Sequence, residues 1–210
     1  MVDYIIRLQH QVGILGGGEA GGSHGDGARP DVGNLSLDGG AGATDVADGA
    51  VGHERNSRCD GGEILGIAGV SGNGQTELLE AISGIRSFQS GSIQFGNHKI
   101  ESSDPYDASL MRCFGVGHVP EDRQKVGLVT SFAAKENAIL GYHQDKAYNK
   151  TIEMDETFMI KDCSSKIKDY DVRPSNPELQ SSLFSGGNQQ KLVVMREMSR
   201  NPDLMIVGQP

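Results

Sequence analysis

Glu63-Ile64-Leu65-Gly66-Ile67-Ala68-Gly69 is a short apolar run that leads straight into Gly69-Val70-Ser71-Gly72-Asn73-Gly74-Gln75-Thr76, and from Thr76 to Ile82 the apolar positions recur at helical spacing. This order predicts a buried strand, a glycine-rich loop and a helix. Such a loop binds phosphate because successive backbone N–H groups and the following helix N-terminus point at one anion, usually with a lysine beside them. Gln75 stands where G-x-x-x-x-G-K-[ST] has that lysine. Gly69, Ser71, Gly72, Asn73, Gly74, Gln75 and Thr76 are therefore the candidate nucleotide-binding residues, with the Thr76 hydroxyl a candidate Mg²⁺ ligand. The missing charge argues against efficient phosphoryl transfer.

Composition narrows the function classes. Lys+Arg 19 against Asp+Glu 28 gives a formal net charge of -9, so no broad basic field is present to hold nucleic acid. Cys59, Cys113 and Cys163 form no C-x-x-C pair and the six histidines are scattered, so neither a disulfide framework nor a zinc site is suggested, and a reducing compartment is expected. The longest apolar runs fall far short of the roughly 20 residues a membrane span needs. Any link to a membrane is expected through a partner.

Residues 1–60 differ in make-up from the remainder of the chain: they hold 14 of the 30 glycines, no lysine, no phenylalanine and only Tyr4 as an aromatic. Low-complexity coil is expected there. A G-x-G-x-x-G run within Gly13–Gly21, with Asp38 downstream, has the outline of a dinucleotide fingerprint, but the Gly- and Pro-containing stretch after it cannot sustain the required helix. From Gly61 onward the pattern is α/β. Gly91–Gly96 alternates like an edge strand, Asp107–Met111 reads as a short helix, and Phe114–Pro120 as a strand ending at proline. Ala133–Leu140 is the clearest amphipathic piece of a mostly helical stretch over 131–182. Gly187–Arg200 is a strong helix, and Leu204–Val207 a buried parallel strand.

Leu183-Phe184-Ser185-Gly186-Gly187-Asn188-Gln189-Gln190-Lys191 completes the pattern, because it opens a helix with a favoured capping residue and two glycines. Together with the glycine loop, Val119-Pro120-Glu121-Asp122-Arg123, Gly127-Leu128-Val129 and Glu136-Asn137, it resembles the second nucleotide-binding domain of the tandem ABC ATPases that energise bacterial importers of simple sugars and nucleosides. The resemblance covers about Gly61 to Pro210. It implies an α/β P-loop NTPase domain of the ABC type, truncated at both ends, with 131–182 as the helical subdomain that docks on a membrane permease.

It further implies ATP and Mg²⁺ as ligands, and a complete ABC nucleotide-binding domain and permease subunits as partners. A solute-binding protein is implied indirectly, and the location is cytoplasmic, peripheral on the inner face of the membrane. Ser185, Gly186, Gly187, Asn188 and Gln189 become the signature loop offered to a partner's nucleotide. Glu121 takes the place of a Mg²⁺-sensing glutamine; read from the sequence alone, Glu121 and Asp122 are equally solvated loop acids with which Arg123 pairs. The family's metal aspartate and catalytic glutamate fall at Gly208 and Gln209, so no catalytic carboxylate is intact. His118 and His143 read as structural or exposed, and Met195 and Met198 as core filling.

A cassette of this kind normally has an antiparallel strand pair and an adenine-stacking aromatic upstream, and the sequence before Gly61 is expected to supply neither. That segment is then either a native extension or a stretch read from a shifted frame. Two further functional readings stay open beside energy coupling: a regulatory module that holds nucleotide without turnover, and a non-functional truncated product.

Overall fold

The computed structural model describes residues 4–8, 34–38, 57–67 and 74–208. Two four-stranded sheets organise them. The first contains β1 (Tyr4–Leu8), β4 (Ile64–Ile67), β7 (Val116–Val119) and β8 (Leu204–Gly208) in the order β4-β1-β8-β7. β7 and β8 run parallel, with Val119 beside Val207, while β1 lies antiparallel between β4 and β8. β8 is the buried parallel strand expected of a continuous apolar run: Leu204 and Ile206 are fully enclosed and Met205 nearly so.

The second sheet is wholly antiparallel. It contains β2 (Asn34–Asp38), β3 (Ser57–Asp60), β5 (Ser92–Phe95) and β6 (His98–Glu101) in the order β3-β2-β5-β6. Two sequence expectations are corrected by these sheets. Residues 1–60 contribute three strands, including the antiparallel pair β2/β3, in place of coil with no such pair. β5 is an inner strand, because β2 pairs with its other side and leaves β6 at the edge. Alternation marks one buried face of a strand and carries no information on how many neighbours it has. The Gly13–Gly21 run lies outside the described residues.

Helices cover the sheets where their apolar faces demand it. α1 (Gln75–Ile82) buries Leu79, Ala81 and Ile82, and α2 (Ala108–Cys113) starts at Asp107, whose carboxylate accepts from the Leu110 N–H at 2.8 Å. With Cys59, Ile93, Phe95, Ile100, Met111, Val116, Leu204 and Ile206 these helices close one core. A second core joins the end of β7 to the helical stretch: Val119, Leu128, Ala134, Cys163 and Ile167 meet Leu192, Val193 and Met195. It is built on α3 (Ala134–Asn137), α4 (Glu156–Asp169) and α5 (Gly186–Met198). Met195 is fully buried and Met198 packs against the same cluster, as expected of core fillers. Among the described residues no helix is long and apolar enough to cross a membrane.

Candidate nucleotide-binding site

The carboxyl ends of β4, β8 and β7 open on one edge of the first sheet, the place where open α/β sheets receive ligands. Gly69, Ser71, Gly72 and Asn73 at the end of β4, and Gln209 after β8, lie outside the described residues. The helix end of the loop is described. Gly74 caps α1 in the left-handed region at φ 83, a conformation that glycine adopts without strain, and its carbonyl accepts from Leu78 at 3.0 Å. Gln75 opens the helix with its side-chain amide nitrogen buried and without a hydrogen-bond partner. An orphaned buried donor is costly, and an acceptor oxygen brought to this loop would satisfy it. Thr76 is next, exposed, in the first turn.

At the neighbouring strand end Gly208 lies against Glu121. A Cβ on Gly208 would stand 2.9 Å from the Glu121 backbone nitrogen and 3.3 Å from its Cα. Glycine here lets the turn after Pro120 close onto β8, so a carboxylate at 208 cannot be accommodated unless that turn moves. No group of three or more His, Cys, Asp or Glu side chains able to hold a metal occurs among the described residues. Among the described residues Glu121 is thus not joined by two further acids, histidines or cysteines into a metal-holding group. Asp122 caps the next turn, accepting from the N–H groups of Gln124 and Lys125 at 3.1 Å. Arg123 does not pair with it, contrary to the sequence expectation; its guanidinium lies over Gly186.

The signature segment starts α5. Ser185 occupies the N-cap position, yet its side chain caps no helix N–H; its Oγ accepts from Asn188 Nδ2 at 2.9 Å. Asn188 in turn accepts from the Arg173 N–H at 2.8 Å. Gln189, 2% exposed, donates to the Ser181 carbonyl at 3.0 Å and accepts from Gln124 Nε2 at 2.9 Å. Ser185, Gly186 and Gly187 are exposed, on a helix start whose backbone donors receive no side-chain cap.

A buried polar network with no local sign in the sequence ties α5 to the turn beside Glu121. Arg196 Nε meets Glu197 Oε1 at 2.8 Å, Arg196 Nη1 donates to the Gly127 carbonyl at 2.8 Å, and the Tyr142 hydroxyl donates to Glu197 Oε2 at 2.7 Å. Burial, and then the Glu197 charge, push the Tyr142 phenol well above its usual value.

His118 lies on β7, partly buried. Burial pushes its imidazole down from 6.5 to about 4, with Arg112 and Arg196 acting in the same direction against Glu197 and Glu80. The unfolded chain therefore binds a proton that the native state refuses between those two values. Stability is expected to be full above pH 6.5 and to fall as pH drops from 6.5 toward 4. Thermal melts across that window on the parent and His118→Asn check this; identical pH slopes for the two would show that His118 does not contribute. His143 is exposed, with its carbonyl accepting from Asn149.

Residues 53–210 match the ABC transporter family. The chain belongs to that family. Its matched region begins eight residues before Gly61, where the resemblance read from the motifs started. Among curated proteins, this cassette is 43% identical over 149 residues to a guanosine import ATP-binding protein, NupO, of Bacillus subtilis (strain 168). It is 41% identical over 149 residues to a nucleoside import ATP-binding protein, NupA, of Lactococcus lactis subsp. cremoris (strain MG1363). Each match covers 71% of this chain, and the chain spans about 29% of either relative's length. Among solved structures, the dimeric ATP-binding cassette MJ0796 in a post-hydrolysis state, bound to ADP and Pi, superposes with a TM-score of 0.51 at 20% identity. That superposition covers 80% of this chain and 70% of the other. The fold is the P-loop NTPase fold of ATP-binding cassettes.

Proposed function

We propose that this cassette, over residues 61–210, is an ATP-binding component of an importer for nucleosides or simple sugars, which couples nucleotide binding and hydrolysis to transport. It would sit at the cytoplasmic face of the membrane, with residues 131–182 as the helical subdomain facing permease subunits, a complete nucleotide-binding domain as partner, and a solute-binding protein acting indirectly. Its own half-site is degenerate, whereas the signature loop it lends is complete. The observation that carries this reading is the contrast between the two loops. Gly208 leaves no space for a metal carboxylate beside Glu121, while Ser185, Gly186 and Gly187 stand exposed on an uncapped helix start.

The residues fit a nucleotide better than they fit a caged metal. Gly69, Ser71, Gly72, Asn73 and Gly74 would supply backbone donors, and Gln75 Nε2 an additional neutral one. Mg²⁺, which neutralises phosphate charge in such sites, would find Thr76 and, through the neighbouring turn, Glu121, with phosphate oxygens and water completing its shell. No residue at 208 or 209 can act as general base, because glycine and glutamine carry no carboxylate. The test is ATP binding and phosphate release by the protein assembled with a partner cassette and a permease. Binding with release supports energy coupling. Binding without any release selects a regulatory nucleotide-holding module, a reading that Gln75 and Gln209 favour, and absence of binding rejects both.

Restoring the lysine has a defined expected result. Gln75→Lys converts the orphaned neutral donor into a charged one, and hydrogen bonds to charged groups contribute about 1.5 to 3 kcal/mol. ATP affinity should rise about 10-fold to 150-fold, measured by titration calorimetry. Hydrolysis at this half-site should not return, and appreciable turnover there from Gln75→Lys alone would contradict the roles assigned to Gly208 and Gln209.

A further inference from the structure

Arg123 is a cation without an anion among the described residues. Its Nε is buried with no hydrogen-bond partner, and the adjacent Asp122 carboxylate is occupied with the N–H groups of Gln124 and Lys125. The guanidinium rests on the first signature glycine: a Cβ on Gly186 would lie 2.6 Å from Arg123 Nη2. Beside it the corresponding position of Gly187 faces nothing within 4 Å. A guanidinium at the start of the 13-residue helix α5 lies at the positive end of the helix dipole, which repels it. The turn that carries the cation is nevertheless held in place. Gln124, the next residue, donates to the buried Gln189 of α5 at 2.9 Å, and the Gly127 carbonyl at the end of the same turn accepts from Arg196.

We infer that Arg123 is a further phosphate-contacting residue of the half-site that the signature loop lends to a partner cassette. This rests on the reading of Ser185–Gln189 as that loop. An anion arriving at the open face of Gly187 would meet the uncapped N–H groups of α5 and, next to them, the guanidinium that the neighbouring turn carries. It would relieve the repulsion between Arg123 and the helix end. A terminal phosphate suits this arrangement, because the planar fork of guanidinium donors matches phosphate oxygens and the backbone donors accept the remaining charge. The triphosphate should be favoured over the diphosphate, since the contact is to the phosphate that ADP lacks.

The test uses the protein assembled with a partner cassette and a permease, in parent, Arg123→Gln, Arg123→Lys and Ser185→Ala forms. Hydrolysis kinetics, ATP and ADP binding, and thermal melts are measured on each. Arg123→Gln is expected to lower kcat/KM for ATP about 10-fold to 100-fold with ADP binding and melting temperature retained, and Arg123→Lys to recover part of the loss. If Arg123→Gln stays within about threefold of the parent while Ser185→Ala is strongly impaired, this inference is overturned and the lent signature loop stands. If both variants keep parental activity, the signature-loop reading falls with it. Equal losses for ATP and ADP, or a loss that tracks a lower melting temperature, would make Arg123 a structural residue and overturn the inference as well.

Discussion

Gly186→Asp is expected to lower ATP turnover of the assembled protein by about 10²-fold to 10³-fold, the range found when one preorganised donor to developing charge is removed. Gly186 is exposed on the first turn of α5, and the atom nearest to a Cβ there is the flexible end of Arg123, so the fold can absorb the substitution. The site cannot. A carboxylate at 186 would pair with the Arg123 guanidinium and bring negative charge to the helix end proposed to receive phosphate. Gln75→Ala, by contrast, removes a neutral contact in a half-site already without carboxylates at 208 and 209, and should cause a much smaller loss. Phosphate release by both variants, with melts to confirm folding, decides between them. Equal losses, or a greater loss from Gln75→Ala, would reject the division between a degenerate site kept and a complete loop lent.

The largest effect on stability is expected from Arg196→Ala. Arg196 and Glu197 are 3% and 0% exposed, and truncation of the arginine would leave the Glu197 charge enclosed with the Tyr142 hydroxyl as its remaining hydrogen-bond partner among the described residues. The Gly127 carbonyl would lose its donor at the same time. Breaking one side of a buried ion pair costs about 3 to 5 kcal/mol, a large share of the roughly 5 to 15 kcal/mol by which domains are stable. Urea unfolding of the protein should show an earlier transition for Arg196→Ala. Replacing both partners by apolar residues of similar volume should recover most of it, since no charge is then left unpaired. A shift below about 1 kcal/mol would mean that water reaches Glu197.

The legible parts of the fold are those in which local pattern and tertiary placement agree. Leu204–Val207 reads as a strand buried on both faces because every position is apolar, and α5 reads as a helix because Leu192, Val193 and Met195 share a face with a glycine-opened start. Tyr4–Leu8 is hidden, since five residues carry little signal and the pairing that makes them a strand comes from Ile64–Ile67 and Leu204–Gly208. The site divides in the same way. Substitutions at Gln75, Gly208 and Gln209 are visible as departures from a motif. The contacts of Arg123 are not, because Asp122 is its sequence neighbour and Gly186 its spatial one.

The antiparallel strand in the middle of the first sheet also sets the order in which the chain can be assembled. Tyr4 pairs with Gly208 and Leu8 with Leu204, so the earliest described strand to leave the ribosome must wait for the last before its second edge is covered. Closing so distant a pair carries the entropic cost of a very long loop, which slows folding and lengthens exposure of unpaired backbone. During synthesis β1 and β4 form at most a two-stranded ribbon, marginal in water. A nascent chain halted before Leu204 would therefore present an open sheet edge, and the protein should depend on chaperone cover until β8 emerges.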